Sequence, residues 1–241
     1  MWFLLSGEGP TDIGTCTMPV DYCELPEFRV GPMACIVDKL VQKQHEYSPI
    51  EYRAIRFIPE QNLSRSGKSL RKNRAPSLPG RKKPKETQYF ERNARALAVA
   101  AKELAEDKND TVIAVLFRDS DGTRSQGRGE WEDKRNSMKR GFEIEAFATG
   151  VPMIPKPKSE AWLLCAVKNP PYQHCANLEN ESGNDTAPNP LKRQLDNATG
   201  KHLGQEDWFE RIYNGAVDLN RIDMPSFNDF KQNFTAAINT L

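Results

Sequence analysis

The chain has 241 residues, with 34 basic and 33 acidic side chains and a formal net charge of +1. That length suits one α/β domain with a modest appendage, and 38% hydrophobic against 28% charged content suits a soluble globular chain. The near-neutral balance points to no partner, and no run approaches the ~20 apolar residues of a membrane span.

Trp2 to Ser6 reads as a first strand; with no basic leader before it and Ser6-Gly7-Glu8 after it, the apolar stretch is too short for a signal peptide. A long loop follows through Cys16, Pro19 and Pro26. Met33, Ile36, Val37, Leu40 and Val41 recur at helical spacing, so Pro32 to about Glu46 is an amphipathic helix with proline at its start. Ile50 to Ile58 alternates and is expected to be a second strand. Ser64 to Lys85 carries Arg65, Lys68, Arg71, Lys72, Arg74, Arg81, Lys82, Lys83 and Lys85 with no acidic residue, and its Pro, Gly and Ser content predicts an extended or mobile insertion.

Phe90, Ala94, Leu97, Ala101 and Leu104 form one helical stripe. Thr111 to Arg118 is a β-branched, apolar run that reads as a buried strand, and it ends in Asp119-Ser120-Asp121-Gly122. Gly122 to Gly129 is a loop, Glu132 to about Ala148 a helix, and Val151 to Ile154 a short strand leaving through Pro155-Lys156-Pro157-Lys158. Ser159 is placed to N-cap a helix through Leu164, in which Trp162 and Leu163 are core. Asn169 to Asn189 reads as loop. The last helix carries Phe227, Phe230, Phe234, Ile238 and Leu241, with Ser226-x-x-Asp229 as a capping-box variant. Alternating strands and helices of this kind imply a mainly parallel sheet covered on both faces. Residues 1–167 would form the catalytic domain, with the basic insertion at about 64–85, and residues 168–241 a loop and helical C-terminal extension packed on it.

Five cysteines (Cys16, Cys23, Cys35, Cys165, Cys175) are odd in number and contain no C-x-x-C pair. With three histidines they suggest neither a zinc site nor a disulfide framework, and a reducing cytoplasm is the default compartment.

In a parallel α/β sheet, function collects at the carboxyl ends of the strands. Glu8 and Asp12 follow the first strand, Asp119 and Asp121 the third, and Lys158 and Glu160 the fourth. Two carboxylates one residue apart repel unless a cation lies between them, and oxygen ligands of this type suit Mg²⁺ or Mn²⁺, one or two ions. Ordinary readings stand beside these. Asp119 to Gly122 makes a turn, Asp12 a cap, Glu160 a first-turn carboxylate favoured by the helix dipole, Lys158 a surface lysine, and the basic run a solvated segment. As a nucleic-acid arm, that run would touch backbone phosphates, since no aromatic residue interleaves it before Tyr89 and Phe90.

Gly7-Glu8-Gly9-Pro10-Thr11-Asp12 resembles the first motif of TOPRIM domains of the overcoming-lysogenization-defect (OLD) nuclease type. Asp119-Ser120-Asp121-Gly122 resembles their DxD motif, and Pro157-Lys158-Ser159-Glu160-Ala161-Trp162-Leu163-Leu164 a segment of small stand-alone TOPRIM-like proteins of bacterial defence loci. The resemblance covers Met1 to about Val167. It implies a TOPRIM-like fold and a nuclease acting on DNA or RNA, as the effector of an anti-phage system, beside an ATPase partner. Glu8, Asp119 and Asp121 would hold a metal, with Glu8 also a general base. Asp12 and Glu160 would hold a second ion, and Lys158, or Lys156 across Pro157, would stabilise charge on the phosphate. Asp12 departs from the Glu often found in that motif.

Two other functions fit some of these residues. Phe117 to Thr123 matches the hhhDxDGT opening of haloacid dehalogenase-type phosphatases, with Asp119 as nucleophile and Asp121 as acid/base. That motif normally follows the first strand, not the third. A non-catalytic TOPRIM-like subunit binding an ATPase is the other, and self-association is compatible with all three.

Overall fold

A computed structural model describes residues 1–70, 85–120 and 131–240. Its centre is a five-stranded sheet built from β1 (Trp2–Gly7), β3 (Cys23–Glu24), β5 (Ile55–Pro59), β6 (Val112–Phe117) and β7 (Gly150–Met153), in the spatial order β3-β5-β1-β6-β7. β5, β1, β6 and β7 are parallel; β3 adds one antiparallel edge. The chain is therefore mixed α/β with a mainly parallel sheet.

Alternation along the strands decides the layers. Phe3, Leu5, Ile113, Val115 and Phe117 point into one core, shared with α1 (Pro32–His45), α5 (Ser159–Val167), α6 (Leu191–Thr199), α7 (Gln205–Tyr213) and α8 (Pro225–Asn239). Leu4, Val112, Ala114 and Leu116 point the other way, against α2 (Glu60–Leu70), α3 (Lys85–Lys108) and α4 (Trp131–Ile144). β1 and β6 are covered on both faces, which is why they read as continuous apolar runs.

The C-terminal helices share the first core. Phe234 on α8 meets Phe3 on β1 at 6.2 Å between ring centroids, and the Trp162 indole N–H donates to the Ser226 hydroxyl at 2.9 Å.

Several expectations need correction. The second strand begins at Ile55, because residues 50–53 form a turn closed by the Ala54 N–H on the Pro49 carbonyl. The long early loop contains β2 (Gly14–Cys16) paired antiparallel with β4 (Phe28–Val30). Ser64 to Leu70, expected in a mobile insertion, completes α2, whose Leu63 and Gly67 are buried against α3. Arg71, Lys72, Arg74, Arg81, Lys82 and Lys83 lie outside the described residues, as does Asp121. The N-cap of α5 is Lys158, not Ser159, and α8 starts from Met224 with no side-chain cap, since Ser226 is engaged by Trp162 and Asp229 by Arg135.

The cysteines also depart from expectation: Cys16 pairs with Cys23 and Cys165 with Cys175, leaving Cys35 buried and free. The bridges close short loops, at sequence separations of 7 and 10, that no C-x-x-C pattern marks, and the cysteine-based ground for a reducing compartment goes with that expectation. Among the described residues no helix is long and apolar enough to cross a membrane.

Candidate functional site

Strand register builds the site. Gly7 pairs with Pro59 on one side and Phe117 on the other, and Phe117 pairs with Met153, so the carboxyl ends of four parallel strands are level. The next residues, Glu8, Glu60 and Arg118, therefore emerge side by side. Gly7 is required at the crossing: a Cβ there would lie 2.5 Å from the Phe117 carbonyl oxygen.

Glu8 and Asp119, 111 positions apart, are joined directly: the Asp119 backbone N–H donates to Glu8 Oε1 at 3.0 Å. The other Glu8 oxygen faces the Arg118 guanidinium at 3.2 Å. Arg118 also donates to Glu60, which accepts the Tyr89 hydroxyl as well, and the guanidinium lies over the Tyr89 ring at 4.5 Å. Burial works against the Arg118 charge, but Glu8 and Glu60 outweigh it and hold its pKa above the ordinary value.

Asp12 reaches the same edge from a π-helical turn, Gly9–Ile13. Ser159 connects it to Asp119. The Ser159 backbone N–H donates to Asp119 Oδ1 at 2.9 Å, and its hydroxyl donates to Asp12 Oδ1 and lies 3.3 Å from Glu160 Oε2. Burial, foremost, and the neighbouring Glu160 charge raise the Asp12 pKa from 3.8 to about 6, against the Ser159 hydrogen bond that lowers it. The Ser120 N–H donates to the carbonyls of Pro155 and Pro157, and Lys134 Nζ to the Ser120 carbonyl at 2.5 Å, which fixes the exit of β6 against that of β7. Lys158 makes an ion pair with Asp185 at 2.8 Å and also lowers the Asp12 pKa. Lys156 is half-buried on the same exit.

Glu8, Asp12, Asp119 and Glu160 thus converge at one sheet edge. Among the described residues no group of three or more His, Cys, Asp or Glu side chains is arranged to hold a metal ion. The donor chemistry suits a hard cation; Asp121, which the motif resemblance adds, lies outside the described residues. Arg65 and Lys68 are exposed on α2.

Comparison with known proteins found no matching family model, no matching curated protein and no matching solved structure.

Sequence reasoning missed two residues. Glu60 directly follows β5, which runs through Pro59 and not only to Ile58, and a carboxylate directly after a strand is the same signal that marks Glu8 and Asp119. Ser159 was read as a cap; its position between Lys158 and Glu160 was visible, but its bonds to Asp119 and Asp12 depend on tertiary approach.

Proposed function

We propose that this chain is a metal-dependent nuclease with a TOPRIM-like fold, hydrolysing phosphodiester bonds in DNA or RNA, and that it serves a bacterial anti-phage system beside an ATPase partner. The setting and the partner rest on the motif resemblance. The observation that carries the chemistry is the level row of strand ends, which delivers Glu8 and Asp119 to one point with a direct hydrogen bond between them.

Glu8, Asp119 and Asp121 would hold Mg²⁺ or Mn²⁺, and Asp12 with Glu160 a second ion. When bound, such an ion supplies Lewis-acid polarisation of the phosphodiester. The chain's own residues then divide the remaining work. Glu8, held between the Asp119 amide and Arg118, accepts a proton from the attacking water. Arg118 fixes the rotamer of Glu8. Lys158, ion-paired with Asp185 and close enough to lower the Asp12 pKa, would offset charge developing on the phosphate. Ser159 keeps Asp119 and Asp12 in fixed relation.

Purified protein incubated with Mg²⁺ or Mn²⁺ should cut plasmid, single-stranded DNA or RNA, and EDTA should stop it. Glu8→Ala should lower the rate by about 100-fold or more, the scale of a lost general base, with an unchanged circular dichroism spectrum. Hydrolysis of a generic aryl phosphate that survives Glu8→Ala and is lost in Asp119→Asn would instead assign a phosphatase and sink the nuclease reading.

A further inference from the structure

A cleft of ≈ 940 Å³ opens beside Glu8. One wall is the disulfide-closed loop Cys16–Cys23; the other is the first half of α2, with Gln61 and Arg65 facing in. The loop is tied down at several points. Besides the disulfide, the Thr17 N–H donates to the Glu27 carbonyl at 2.9 Å, and the Asn62 side chain donates to the carbonyls of Val20 at 2.9 Å and Asp21 at 3.3 Å.

A loop so constrained still turns its large apolar side chains outward. Met18 is 63% exposed, Val20 42% and Tyr22 51%, and Met18 and Val20 line the cleft. Met18 and Val20 together offer an apolar contact on one wall of the cleft. The opposite wall carries one acid, Glu60, and one base, Arg65. Arg65 lines the cleft, Lys68 lies one turn further along α2, and the sequence continues past Leu70 with seven more cations and no acid to Lys85. Glu8 and Glu60, acids on this rim, share the Arg118 guanidinium, and Asp21 also lines it.

We propose that this cleft is a binding groove for a single-stranded segment of nucleic acid, with unpaired bases on Met18 and Val20 and a backbone phosphate on Arg65. The class of ligand rests on the nuclease reading. Unpaired bases present flat apolar faces that settle on apolar and aromatic side chains, whereas a duplex buries those faces in its own stack. The volume has room for a few nucleotides. Its end at Glu8 leads the strand to the candidate site.

Fluorescence anisotropy in EDTA, where no cutting intrudes, tests this with short labelled oligonucleotides. The single strand should bind about tenfold or more tighter than the duplex of the same sequence. Met18→Ser combined with Val20→Ser, both exposed and so neutral for folding, should weaken single-strand binding about tenfold and leave its salt dependence unchanged. Arg65→Ala should weaken binding and reduce the slope of log K against log salt by about 0.7, one phosphate contact on a single strand. Equal affinity for duplex, a double variant that binds like the parent, or no oligonucleotide binding at all overturns the groove. The outcomes separate from those of the nuclease reading. A chain that cuts but ignores both changes loses the groove alone; one that binds through Met18 and Val20 and cuts nothing loses the nuclease alone.

Discussion

Asp12 sits in an environment at odds with its charge. The folded chain raises its carboxyl pKa from 3.8 to about 6, mainly by burial. Between those values the folded state holds a proton that the unfolded state releases, so the Asp12 contribution to stability is greatest below about pH 4 and declines as pH rises through 6. Asparagine keeps the acceptor for the Ser159 hydroxyl and carries no charge. In EDTA, Asp12→Asn should therefore gain melting temperature relative to the parent as pH is raised from 4 to 7, with the gain levelling off above about 6. A difference that does not change with pH would mean that Asp12 is not held against its charge. Under the proposed nuclease reading, a cation bound beside Asp12 would offset the stability lost as Asp12 ionises.

At the level of elements, the site depends on how closely α4 packs on α3. Gly141 sits at the crossing, where an added Cβ would lie 2.5 Å from the Glu91 carbonyl oxygen and 2.6 Å from the Ala94 Cβ. Alanine is the better helix former by ~1 kcal/mol, but backbone cannot move aside as a flexible side chain does. Overpacking of this kind costs about 1–3 kcal/mol, so Gly141→Ala should lower the stability read by urea denaturation in spite of the propensity gain. A more stable variant would show that the helices can separate freely. The consequence reaches the site, since α4 also carries Lys134, which holds the Ser120 carbonyl next to Asp119.

For the molecule as a whole, two short disulfides reinforce a fold whose last helices lie in the same core as its first strand. Cys16–Cys23 closes a loop on the cleft rim, and Cys165–Cys175 ties the end of α5 to the 3₁₀ turn Cys175–Asn180. Thiol titration should find essentially none in the native protein, one per chain, Cys35, after denaturation without reductant, and five after reduction. Loops closed at sequence separations of 7 and 10 restrict the unfolded chain by roughly 2–3 kcal/mol each, so reduction should lower the melting temperature measurably. Five reactive thiols before reduction would remove both bridges.

Local sequence determined the strands Trp2–Gly7, Val112–Phe117 and Gly150–Met153 and the helices between them, because a buried face imprints its period on the residues that form it. It also placed Glu8 and Asp119 at strand ends. Tertiary structure alone decided what stands beside them. Glu60 joins Glu8 through the level register of β1 and β5, Ser159 bridges Asp119 and Asp12 across 147 positions, and Met18 and Val20 face Arg65 because Asn62 holds their loop against α2. Periodicity reports which side of an element is covered. It carries no record of which distant residue does the covering, and the site is made of such meetings.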